Sequence, residues 1–147
     1  MTEVIGSVQT ILQEWKQCQG FIDKINERKD KFSEAIIAKL VVEYEIKQDS
    51  LEEQLAPLVS ELESAHSSLD AELAELKRNN STYDELEQEL MLRFEIGAID
   101  EESFTAEMDR LKSSMTGYAD KVEHLRSSME EISTLLLEWR ELKGEPA

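Results

Sequence analysis

The residues able to carry chemistry in this chain are few and poorly spaced for it. His66 and His124 are the only histidines and Cys18 is the only cysteine. Zinc is held by imidazole, thiolate and carboxylate, and needs three or four of them converging on one point. Beyond surface acids such as Asp70 and Asp120, neither histidine has a second strong ligand at helical spacing, so a two-His, one-carboxylate site would require the fold itself to bring positions 66 and 124 together. A single cysteine forms no internal disulfide and no cysteine cluster. The run Asp100-Glu101-Glu102 supplies oxygen ligands but lacks the alternating acids, the central glycine and the twelfth-position glutamate of a calcium loop. Capping of a helix accounts for it. No glycine-rich phosphate loop, Ser-His-Asp grouping or pair of carboxylates in an apolar setting is present, so no catalytic residue, cofactor or metal is expected.

The elements that would have to position any such residues are read from the apolar periodicity. Phe104, Met108, Leu111, Met115, Tyr118, Val122, Leu125, Met129, Ile132, Leu136 and Trp139 recur at alternating spacings of four and three. That period keeps one stripe of an α-helix facing a partner helix and specifies a left-handed coiled-coil seam. Met108, Met115 and Met129 carry adaptable thioethers, but their place on the seam assigns them to packing. The same pattern runs through Val4, Val8, Ile11, Trp15, Cys18, Ile22 and Ile25, with Gly6 and Gly20 on the opposite face. A further seam runs through Leu51, Leu55, Leu58, Leu62, Ala65 and Leu69, then slips to Leu73 and Leu76. Pro57 lies on its water-facing side and predicts a bend there. Between the first and second seams, Lys29, Lys39 and Glu43 stand where a strict heptad wants apolar groups.

Composition bounds the function. Five glycines and two prolines in 147 residues, with few aromatics, fit long helices that bury a stripe. A formal charge of -17, from 33 acidic against 16 basic residues, opposes binding to nucleic-acid phosphates or anionic membranes and leaves a protein with a basic surface as the complementary partner. No stretch is apolar enough to insert in a membrane, and no cationic leader precedes an apolar run, so a cytoplasmic location is expected.

Turn chemistry divides the helices. Asn79-Asn80-Ser81-Thr82 favours a break, with Thr82 and Glu85 forming a capping box for a short helix over 83–97. Gly97 suits a left-handed helix end. Asp100 is placed to cap the next helix, with Glu101 and Glu102 in its positive first turn and Ile99 and Phe104 spaced as a hydrophobic staple. Near residue 30 only Asp30 or Ser33 offers a cap, and neither glycine nor proline lies between Phe21 and Ala56.

Leu86, Leu90, Gly97-Ala98-Ile99-Asp100-Glu101-Glu102, Phe104 and Leu111 together resemble the bacterial short C-terminal (SHOCT) domain, whose members pair a small helix with a Gly-x-Ile-Thr/Asp-Glu-Glu-x-Phe turn and a following helix. The resemblance covers residues 83–111, about a fifth of the chain, and departs from the family in being central and continuing into a long seam. It implies a small packing or oligomerisation module without catalytic residues, and a bacterial source.

The expected architecture is all-α. It is an elongated antiparallel coiled-coil hairpin over 31–147, with arms of about residues 31–78 and 100–143 and a short helix-turn-helix tip over 79–103. An additional N-terminal coiled-coil helix occupies 1–30. That helix has no matching arm: it either folds back as a third helix or pairs with the same segment of another chain, and the homodimer is the expected outcome. The expected function is non-enzymatic: a coiled-coil scaffold or adaptor acting through protein–protein interaction. The alternatives are an acidic hairpin-tip factor, with Gly97, Ile99, Asp100, Glu101 and Glu102 at the tip, that binds a large enzyme such as RNA polymerase, or a secretion-apparatus stalk or chaperone.

Overall fold

In a computed structural model that describes residues 1–144, the chain is all-α and forms α1 (Thr2–Glu27), α2 (Glu34–Glu95), α3 (Glu101–Met115) and α4 (Tyr118–Leu142). No strand occurs among the described residues. The last three residues of the expected 31–147 hairpin lie outside them. Two compact units divide the chain, one built from Met1–His66 with the chain from Glu131 onward, the other from Ser67–Glu130.

In the first unit α1 turns back along α2. The chain leaves α1 through a turn in which the Arg28 and Lys31 N–H groups donate to Ile25 and Arg28 carbonyls. It enters α2 at Ser33, whose Oγ accepts from the Ile36 N–H at 3.3 Å and whose carbonyl accepts from Ile37. Positions equidistant from this turn then meet: the Phe21 and Tyr44 rings lie 5.2 Å apart, and Trp15 Nε1–H donates to Glu52 Oε1 at 3.3 Å. Gln48, the buried polar side chain here, donates to the Trp15 carbonyl and to Gln19 Oε1. That pairing satisfies an amide that would otherwise cost stability in an apolar setting. The end of α4 is the third member. Leu142 packs on the Trp15, Cys18 and Leu51 cluster, and Lys16 pairs with Glu138.

The N-terminal seam of Val4, Val8, Ile11, Trp15, Cys18, Ile22 and Ile25, expected to face a second chain, instead packs within the chain against α2 and the end of α4. Val8, Trp15, Cys18 and Ile22 are buried, Val4, Ile11 and Ile25 are half-buried, and Ile5 and Leu12, which lie off the strict heptad, are buried as well. The reason is geometric. A helix with one partner buries a narrow seam, whereas a helix between two partners buries a wider stripe. Residues 1–27 share a core with α2 and the end of α4.

In the second unit the later part of α2 packs antiparallel to α3 and the start of α4. Two sequence expectations fail here. Helix α2 continues through Asn79–Thr82, so residues 83–97 are its last turns and not a separate helix; Thr82 Oγ1 donates to the Arg78 carbonyl one turn back and forms no capping box. Helix α2 also continues through Pro57 in the first unit. The return arm, expected as one helix from 100 to 143, is broken at Thr116-Gly117. Gly117 adopts φ +86, and its carbonyl accepts the Lys121 N–H, so α4 starts at once. The apolar spacing survives the break: Met108, Leu111 and Leu125 are buried, and Met115, Tyr118 and Val122 half-buried.

Candidate protein-docking corner

The corner between α2 and α3 is where the local signals agree. Gly97 sits at φ +78, its N–H donates to Phe94 and the Ala98 N–H donates to Arg93 at 2.8 Å, a Schellman end that satisfies the last carbonyls of α2. Asp100 caps α3 through a 2.7 Å bond from the Ser103 N–H. Hydrogen bonds from the Ser103 backbone N–H and then its side chain hold the Asp100 carboxyl below its ordinary value. Glu101 and Glu102 follow in the first turn, facing solvent. Phe104 stacks on Phe94 with ring centroids 4.5 Å apart, and this fixes the angle at which α3 leaves the corner. Ile99 is half-buried.

Behind the corner, Leu86, Leu90 and Arg93 of α2 and Ser103, Glu107 and Leu111 of α3 line a groove of about 540 Å³. Its lining combines aliphatic side chains, Leu86, Leu90, Ile99 and Leu111, with charged ones. Between Tyr83 and Leu111 the cations are Arg93 and Arg110, and each is paired, with Glu89 and Glu107 respectively. The remaining carboxylates of this stretch leave its field acidic. An apolar surface ringed by acid suits a protein partner that presents apolar groups framed by lysine or arginine.

Periodicity did not reveal a second, more exposed apolar patch at this corner, outside the groove lining. Met91, Leu92 and Phe94 in the last turns of α2 and Ile96 just past its end point in different directions from the groove-lining Leu90, so one packed face cannot cover them. Leu92 is 59% and Ile96 70% exposed. The signal was present as an apolar run without helical phase. Of the other chemistry-bearing residues, Cys18 is buried against Trp15 and Leu51, His66 lies in the first unit and His124 in the second, beside Asp120 and Lys121. Among the described residues no group of three or more His, Cys, Asp or Glu side chains is arranged to hold a metal ion, and no helix is long and apolar enough to cross a membrane. Compared with known protein families, curated proteins and solved structures, the chain matches none.

Proposed function

We propose that this protein is a non-enzymatic helical adaptor that binds another protein through the α2–α3 corner. The observation that supports this reading most directly is the exposed apolar cap of Met91, Leu92 and Ile96 on a rigid corner whose capping bonds are complete. Exposed apolar residues gathered within a few residues at the C-terminal end of α2 mark an interaction surface. Scattered ones would not. The surrounding acids select a partner with a basic rim, consistent with the resemblance of residues 83–111 to a SHOCT-like packing module. An acidic-tip factor acting on a large enzyme is the special case in which that partner is a catalytic machine. Self-association belongs to the same reading but is moved away from the N-terminal seam, which the chain itself covers.

The test compares proteins captured by the wild-type chain with those captured by the double variant L92E/I96E. Both positions are exposed, so helicity should be retained. The proposal expects a discrete basic-surfaced partner to be lost from the variant and recovered by L92M/I96M. Recovery of the same proteins by wild type and L92E/I96E sinks it.

A further inference from the structure

The first turns of α2 carry a second apolar face, turned away from α1. Phe32 in the preceding turn is 57% exposed and Ile46 63%, with Ile36 and Val42 about half exposed between them. On this face Ile36, Lys39, Glu43 and Ile46 follow one another at spacings of three, four and three, the positions of a coiled-coil seam with two charges at its centre. The opposite side of the same stretch is occupied: Tyr44 packs on Phe21, and Gln48 and Leu51 meet α1. Helix α2 here is apolar on both sides, and the described chain covers one of them.

We infer that this face binds a second copy of the same chain, antiparallel, about a two-fold axis at residue 41. The spacing reads the same in both directions for the apolar residues and with opposite charge for the polar ones. An antiparallel copy therefore sets Ile36 against Ile46 of its mate and Lys39 against Glu43 of its mate, each pair twice, with Val42 of both copies close to the axis. A parallel copy would set lysine against lysine and glutamate against glutamate, which is repulsive. Neither Lys39 nor Glu43 forms an ion pair among the described residues, so both are available to the mate. Central opposite charges flanked by isoleucine fix register and orientation, and the short seam makes the dimer reversible.

Charge exchange tests this on exposed side chains without touching a packed core. Sedimentation should show wild type moving from monomer near ~1 µM to dimer near ~100 µM, the affinity range of a small interface. K39E and E43K should each weaken the dimer about tenfold or more, because each single change creates two like-charge contacts at the axis. The doubly exchanged K39E/E43K should recover wild-type association, and an equimolar mixture of the two single variants should form the heterodimer. Circular dichroism on all forms reports retained helix. A monomeric wild type near ~100 µM, single variants that dimerise as wild type does, or a double exchange that fails to recover would each overturn the inference. So would a dimer abolished by L92E/I96E and indifferent to K39E, which would assign self-association to the corner.

Discussion

Replacing Leu12 by alanine separates a helix folded back within the chain from one held by a second chain. Leu12 lies off the strict heptad that runs through Val8, Ile11 and Trp15, yet it is 1% exposed because α1 lies between α2 and the end of α4. Leu12→Ala removes three carbons from that position, about 2.4 kcal/mol at roughly 0.8 kcal/mol per buried methylene. The cavity left in a packed bundle brings the expected loss to about 3 kcal/mol, within the roughly 2–5 kcal/mol span of such substitutions. Ile11 is only half-buried, so Ile11→Ala should cost about half as much. Trp15 and Trp139 are both buried in this unit, so their fluorescence reports its unfolding in urea. At ~1 µM protein the midpoint should not depend on concentration. If α1 were instead an intermolecular seam, a tenfold dilution would remove about 1.4 kcal/mol of apparent stability by mass action. A Leu12→Ala cost below ~1 kcal/mol, smaller than that of Ile11→Ala, together with such a dilution effect would refute the three-helix packing.

Glycine substitutions should act with opposite signs along the chain. Gly97→Ala and Gly117→Ala force a side chain into left-handed backbone and should each cost about 1 kcal/mol, whereas Gly20→Ala meets open space inside α1 and should stabilise by up to about 1 kcal/mol, all read by urea unfolding. Pro57→Ala restores a donor to the Glu53 carbonyl within α2 and should raise stability by about 1–3 kcal/mol; a loss instead would mean that the packing depends on a bend at Pro57. The Asp100 carboxyl is held below its ordinary value, so its capping contribution is complete above the unfolded carboxylate value of about 3.9 and is lost as pH falls through the lower folded value. The Ser103 amide proton should therefore titrate below about pH 3.9 in NMR spectra and cease to titrate there in Asp100→Asn; a midpoint at or above that value contradicts the 2.7 Å bond.

Local chemistry made the corner readable from sequence. A glycine needed at φ +78, an aspartate followed three residues later by the N–H it accepts, and acids in a positive first turn are each decided within a few residues, and all three occur where expected. The final seam was readable for the same reason, because a 3.5-residue period names the face of a helix whatever covers that face. The break at Gly117 was hidden by that very regularity: the apolar spacing passes through it unchanged. At Asn79–Thr82 the error ran the other way, since side chains that favour turns in isolation are overridden when the helix on both sides is held by packing, and Thr82 simply bonds back to Arg78.

The sequence by itself determined that the chain is helical, the apolar seams of its helices and the helix stop at Gly97, because propensity, periodicity and capping are short-range properties. Only the tertiary structure decided what each face meets. Val8, Trp15 and Ile22 present the same stripe to a partner chain or to α2, and the six residues between α1 and α2 hold no glycine or proline to announce a reversal. The choice rests on long-range complementarity, in which Phe21 meets Tyr44, Gln48 meets Trp15 and Lys16 meets Glu138. Those pairings exist only once the chain has folded back, and no local pattern encodes them.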